Sequence, residues 1–123
     1  MILVVEDDPD ARELTRVMLE QHGAWVVVAA DGLEAIHLLT RLRPNAVVCD
    51  LRMPRMDGFG FVRQLRADPH WAHLPVVALT AYGADADYMR TFEQGFDAHL
   101  MKPVDDVTLA SAVLRILRGP RPG

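Results

Sequence analysis

The sequence predicts an α/β fold in which five parallel strands form one doubly wound sheet. Three observations support this. Five short apolar segments recur at similar intervals, each is continuous rather than alternating in hydrophobicity, and a segment with helical start and stop signals follows each one. Continuous apolar strands are typical of parallel sheets covered on both faces. Right-handed crossovers wind such strand–helix units into a single open sheet, and 123 residues suit one domain.

Each predicted strand contains a short run of apolar residues, and four of the five runs are rich in valine or isoleucine. They are Ile2–Glu6, Trp25–Ala29, Ala46–Asp50, Val76–Thr80 and Ala98–Lys102. The last segment is less apolar than the others, and its place in the series supports it.

Helix signals fill the intervals between the strands. Asp8-Pro9 is typical of an N-cap followed by proline in the first turn, and Gly23 lies where that helix would end. Asp31, with Glu34 three residues later, resembles a capping box that opens the second helix.

The remaining predicted helices run over 59–65, from about 84 to 94, and after Lys102. The fourth has few large apolar residues, so rearrangement there should be easy. Apolar spacing predicts the buried faces of the first and fifth helices. The predicted inward residues are Ala11, Leu14 and Met18 in the first, and Ala110, Val113, Leu114 and Leu117 in the fifth.

Composition excludes several classes of protein. The formal net charge of −4 argues against direct nucleic-acid binding through a basic surface. No apolar run approaches the ~20 residues that span a bilayer, and no signal peptide is visible, so no membrane insertion is expected. Cys49 is the only cysteine. An internal disulfide is therefore impossible, and a cytoplasmic setting is expected.

Polar residues end four of the five predicted strands. Glu6-Asp7 ends the first, Asp50 the third, Thr80 the fourth and Lys102 the fifth. In open parallel sheets, functional groups collect beyond the carboxyl ends of the strands, where the strand order reverses. A strand order of 2-1-3-4-5 places the second strand, which ends without such a group, at an edge.

The chemistry of these side chains points to phosphoryl transfer. Three neighbouring carboxylates repel one another, and a hard divalent cation such as Mg²⁺ would relieve that repulsion. Thr80 can donate to a phosphate oxygen, and Lys102 can neutralise its charge. Lys102 is the only lysine among 13 basic residues, which is consistent with a position that needs a compact ammonium.

Four segments in order resemble the response-regulator receiver domain of two-component signalling. They are Ile2–Asp8 (ILVVEDD), Cys49–Gly58 (CDLRMPRMDG), Ala78–Ala81 (ALTA) and Leu100–Pro103 (LMKP). Each segment is weak by itself, but all four at this spacing are highly specific. The resemblance covers essentially the whole chain and implies a flavodoxin-like doubly wound (βα)5 sandwich.

The resemblance implies a role for each site residue. Asp50 would accept the phosphoryl group from a phosphohistidine of a sensor histidine kinase or phosphotransfer domain. Glu6, Asp7, Asp50 and the backbone carbonyl of Arg52 would bind Mg²⁺ (or Mn²⁺). Thr80 would be the switch hydroxyl, and Lys102 would contact the phosphate and precede a cis peptide bond at Pro103. The only reactions expected are self-phosphorylation from a phosphodonor and autodephosphorylation, so we do not expect an enzyme.

His99 departs from the family pattern, in which tyrosine or phenylalanine is common three residues before the lysine. We expect the switch to involve the fourth helix and its preceding loop, from Tyr82 to Gln94, with His99 as a modified relay. A homodimer through the face of the fourth and fifth helices is also consistent with the resemblance.

Two other classes compete with a receiver. A phosphatase of the haloacid-dehalogenase type also forms an aspartyl phosphate, but it carries a second aspartate where this chain has Arg52. A flavin- or mononucleotide-binding module would need a glycine- or hydroxyl-rich loop after the first strand. Here that loop is acidic and would repel a phosphate in the absence of a metal.

The expected organisation is a receiver over residues 1–118 and a tail or truncated linker over 119–123. The output domain or target would lie outside this chain. A free-standing regulator and a receiver excised from a hybrid kinase or longer regulator both fit. The lack of residues before the first strand slightly favours excision.

Overall fold

The computed structural model describes residues 1–81 and 86–118, apart from the side chains of 86–89. The start predicted for the fourth helix and the predicted tail at 119–123 lie outside the described residues. So does Tyr82, the first residue of the predicted switch region.

Five strands alternate with five helices along the chain. The strands are β1 (Ile2–Val5), β2 (Val26–Ala29), β3 (Ala46–Asp50), β4 (Val76–Thr80) and β5 (Ala98–Met101). The helices are α1 (Pro9–Gln21), α2 (Gly32–Leu39), α3 (Gly58–Ala67), α4 (Ala86–Gln94) and α5 (Asp106–Leu117). All strand pairs are parallel and the order is β2-β1-β3-β4-β5, which confirms the predicted fold and topology.

The sheet has a separate apolar layer on each face. Alternate residues of the central strands pack on one side with residues of α2 and α3, and on the other side with residues of α1 and α5. Leu3 and Val4, for example, are both buried but belong to opposite layers. Coverage on both faces explains why each strand reads as a continuous apolar run.

Two of the predicted helix faces are wrong in part. Leu14 of α1 and Leu114 of α5 are 59% and 56% exposed, and Leu117 is exposed as well. In α1 a polar residue, Thr15, is buried instead, because its hydroxyl donates to the Ala11 carbonyl 2.8 Å away. The buried face of α5 consists of Leu109, Ala110, Ala112, Val113 and Ile116.

Aspartate side chains cap four of the helices at their N-termini. Asp8, Asp31, Asp57 and Asp105 each accept a hydrogen bond from the backbone N–H three residues later. These contacts pair N–H groups that have no partner inside the helix. They fix the points at which α1, α2, α3 and α5 begin, just past the carboxyl edge of the sheet.

Strands β1 and β5 each end one residue earlier than predicted. Their last residues are Val5 and Met101, so Glu6 and Lys102 follow the sheet rather than belong to it. Beyond the last paired residue the chain turns into a loop. Both side chains can therefore point toward the edge where Asp50 ends β3.

Candidate functional site

Three carboxylates meet where β1 and β3 end. Val5 is in register with Cys49, so Glu6 and Asp7 follow β1 beside Asp50. One carboxylate oxygen from each of Glu6, Asp7 and Asp50 lies within 4.8 Å of the other two, and we call these three residues the acidic cluster. Glu6 and Asp50 are buried and Asp7 is exposed. Oxygen donors at this spacing, open to solvent on one side, suit a hard divalent cation that keeps several water ligands.

The acidic cluster carries unfavourable charge. Burial raises the pKa of Glu6, and the neighbouring Asp50 carboxylate raises it further, in spite of an opposing contribution from Lys102. Burial also raises the pKa of Asp7, with Glu6 as the next cause. Both shifts mean that the fully ionised cluster is disfavoured, and a bound cation would stabilise the ionised form.

Lys102 supplies a positive charge to this edge. Its Nζ lies 2.5 Å from Glu6 Oε1 and 3.6 Å from Asp50 Oδ1. Burial by itself lowers the pKa of Lys102, but the hydrogen bond to Glu6 and the charge of Asp50 outweigh this and raise it. The ammonium is therefore firmly protonated and lies against the Asp50 carboxylate. The Lys102–Pro103 peptide bond is cis, the geometry that the resemblance implies.

Thr80 ends β4, the strand beside β3. Its side chain is fully buried, and within the described part of the chain Thr80 Oγ1 is the buried side-chain polar atom that has no hydrogen-bond partner. The Thr80 carbonyl accepts from the Lys102 backbone N–H at 2.7 Å, so the two residues are held side by side. A buried hydroxyl without a partner costs about 1–3 kcal/mol. The Thr80 hydroxyl is thus a buried donor without an acceptor among the described residues, at the end of the strand that pairs with the one carrying Asp50.

The segment after Asp50 folds back tightly against β3. The Gly58 N–H donates to the Leu51 carbonyl at 3.0 Å, and a Cβ added to Gly58 would lie only 2.6 Å from the Asp50 carbonyl oxygen. Residues 51–57, which we call the β3–α3 loop, include the exposed Arg52. A metal-binding role for the Arg52 carbonyl stays a prediction.

His99 lies on β5, on the side of α4. Its ring is partly buried, and Nδ1 is 3.1 Å from the hydroxyl of the buried Thr91 in α4. The structure therefore links His99 to α4, the helix predicted to take part in the switch.

Two further residues are linked to the site only through the fold. The sequence predicts Asp31 as a helix cap, yet its second oxygen also accepts from the Arg55 guanidinium in the β3–α3 loop. Arg55 has a positive φ of 65°, which is uncommon outside glycine. No periodicity or spacing pairs residues 24 positions apart, so only the fold brings the two together.

The match to known proteins decides the family. The model of the response regulator receiver domain matches residues 2–114. The chain belongs to the response regulator receiver family. This receiver domain contains no helix, among the residues described, that is long and apolar enough to cross a membrane.

Known proteins resemble this receiver domain along most of its length. It is 46% identical to an uncharacterized 14.6 kDa protein of Leptolyngbya boryana, over 91% of this chain and 86% of that protein. It is 37% identical to the DNA-binding dual master transcriptional regulator RpaA of Synechocystis, over 95% of this chain. It spans only about half of that relative, 48% of its length.

A solved structure gives the same fold with a metal. The receiver domain of the sensor histidine kinase PA1611 from Pseudomonas aeruginosa superimposes with a TM-score of 0.87 at 31% identity, covering 96% of this chain and 97% of that one. That structure contains a magnesium ion coordinated in its active-site cleft.

Proposed function

We propose that this receiver domain accepts a phosphoryl group on Asp50 from a phosphohistidine of a sensor histidine kinase or phosphotransfer protein. An Asp50 carboxylate oxygen attacks the phosphorus, the P–N bond breaks, and the released imidazole takes a proton from solvent. Attack by water on the acyl phosphate later returns inorganic phosphate and the free carboxylate. Apart from this self-phosphorylation and autodephosphorylation, no enzymatic turnover is proposed.

One observation carries the proposal: the Lys102 ammonium lies 3.6 Å from the carboxylate of Asp50, at the edge of an acidic cluster. A phosphoryl group on Asp50 would bring anionic oxygens to this point, and Lys102 offers the charge that neutralises them. The unpartnered Thr80 hydroxyl supports the same assignment. The flavin and phosphatase alternatives have no comparable support.

The donor set of the acidic cluster fits Mg²⁺ or Mn²⁺. Glu6, Asp7 and Asp50 would hold the ion with the backbone carbonyl of Arg52, and water would fill the remaining positions. The bound ion would supply charge neutralisation and orient the incoming phosphoryl oxygens. The chain's own residues position Asp50 by burial and hold Lys102 beside it.

The conformational response would begin at Thr80 and pass to His99 and α4. A phosphoryl oxygen on Asp50 would recruit the Thr80 hydroxyl, and the space behind it would become available to the His99 side chain. The bond between His99 and Thr91 connects that movement to α4. The altered α4–β5–α5 face would then control an output domain or target, or form a homodimer. The exposed Phe92, Met101 and Val107 support an interaction there.

Acetyl phosphate with Mg²⁺ provides the direct test. We expect intact mass spectrometry to show the addition of one phosphoryl group, and no addition with EDTA. Asp50→Asn should abolish labelling. Asp57→Asn is the matched control, because asparagine retains the α3 cap made by Asp57 Oδ1 and the Gly60 N–H. Equal labelling of Asp50→Asn and wild type would refute the proposal.

A further inference from the structure

The Asp31–Arg55 ion pair fixes the β3–α3 loop to the start of α2. Asp31 is buried and uses both oxygens: one accepts from the Glu34 N–H at 2.9 Å, and the other accepts from Arg55. The Arg55 side chain is 62% exposed and that of Asp31 only 6%. The pair therefore joins a surface loop to a rigid, buried anchor.

The backbone of Arg55 shows why such an anchor is needed. A residue other than glycine at a φ of 65° is energetically disfavoured and persists only where its surroundings hold it. The neighbouring Met56 packs closely on Gly32, where an added Cβ would lie 3.0 Å from the Met56 carbonyl oxygen. The ion pair and this close packing hold the loop from the same side.

This anchored loop begins directly after Asp50 and carries Arg52, three residues before Arg55. A change in the path of the loop would move the Arg52 carbonyl relative to the acidic cluster. No reactive side chain ends β2. Asp31, in the connection between β2 and α2, would nevertheless affect the acidic cluster through its ion pair with Arg55.

We infer that Asp31 and Arg55 are positioning residues, whose ion pair sets the path of the β3–α3 loop and thereby the affinity of the acidic cluster for Mg²⁺. The inference rests on the metal site of the proposed function. Neither residue of the pair belongs to the acidic cluster. Its effect is on the affinity for the metal and not on the transfer step once the metal is bound.

The test measures the dissociation constant for Mg²⁺ by isothermal titration calorimetry in wild type, Asp31→Asn, Arg55→Gly, Arg55→Lys and the Asp31→Asn/Arg55→Gly double variant. Asparagine keeps the α2 cap, and glycine accepts the positive φ. Thermal unfolding of each variant confirms that it is folded. Arg41→Gly, which alters an exposed arginine after α2, is the matched control.

We expect each single disruption to weaken Mg²⁺ binding about fivefold, the size of a partly exposed ion pair of about 1 kcal/mol. The double variant should be no weaker than the single variants, and Arg55→Lys should retain most of the affinity. The maximal rate of labelling by acetyl phosphate at saturating Mg²⁺ should be unchanged.

Wild-type affinity in Asp31→Asn and Arg55→Gly would overturn the inference, as would additive losses in the double variant. Absence of Mg²⁺ binding by wild type would overturn the inference together with the metal site. Wild-type binding of Mg²⁺ without labelling of Asp50 would refute only the proposed function.

Discussion

Replacement of Asp7 by asparagine should have opposite effects on the metal-free fold and on Mg²⁺ binding. The oxygens of the acidic cluster lie within 4.8 Å of one another, and two unit charges at that separation repel by about 3.5 kcal/mol at an effective dielectric constant of about 20. Because Asp7 is exposed, solvent screening reduces the net gain from removing its charge to about 1 kcal/mol. The melting temperature in EDTA should therefore rise by about 3–5 °C.

The same change removes one anionic metal ligand, and we expect the dissociation constant for Mg²⁺ to rise about tenfold. At a Mg²⁺ concentration ten times the wild-type constant, binding stabilises wild type by about 1.4 kcal/mol and the variant by about 0.4 kcal/mol. Thermal unfolding with and without Mg²⁺ measures both effects. Asp10→Asn, which removes a charge from the first turn of α1, is the control.

The raised pKa values of Glu6 and Asp7 also give the sign of the pH dependence. Between the ordinary and the raised pKa, the folded protein holds protons that the unfolded chain has already lost. Stability in EDTA should therefore fall as the pH rises through this window above the ordinary values, and Asp7→Asn should reduce the fall. A melting temperature of Asp7→Asn in EDTA that is no higher than that of wild type would refute this electrostatic explanation.

Three further experiments test the roles of Lys102, Gly58 and His99. Lys102→Arg should take up a phosphoryl group but signal poorly, because a planar guanidinium cannot replace a compact ammonium. The NMR amide shifts of β4 on phosphorylation measure this, and shifts identical to those of phosphorylated wild type would contradict it. Gly58→Ala should destabilise the fold by about 1–3 kcal/mol in urea unfolding, because its Cβ would meet the Asp50 carbonyl, whereas Gly60→Ala should be tolerated. The ring shifts of His99 in NMR spectra should change on beryllofluoride binding, and unchanged shifts would exclude it from the switch.

The sequence by itself determined the fold class, the strand order and the ends of the five strands to within one residue. Continuous apolar runs, aspartate caps and the glycine at the end of α1 are local signals, and in a parallel sheet the carboxyl ends of neighbouring strands necessarily meet at one edge. The gathering of Glu6, Asp50, Thr80 and Lys102 at one edge follows from the strand order alone.

The exact faces of the helices depended on packing that the sequence does not encode locally. A leucine at helical spacing predicts burial, but Leu14 and Leu114 lie on outer faces because the rotation of each helix is set by the sheet beneath it. Thr15 is buried because its hydroxyl is satisfied within the helix, which hydrophobicity does not reveal.

Only the tertiary structure decided the electrostatics of the site and its connection to α2. The contact of Lys102 with Glu6 joins residues 96 positions apart, and the shifted pKa values follow from distances and burial rather than from residue type. The Asp31–Arg55 pair exists because the crossover brings the connection after β2 next to the one after β3. Long-range ion pairs leave no periodic signal in a sequence, since their partners are chosen by the folded backbone.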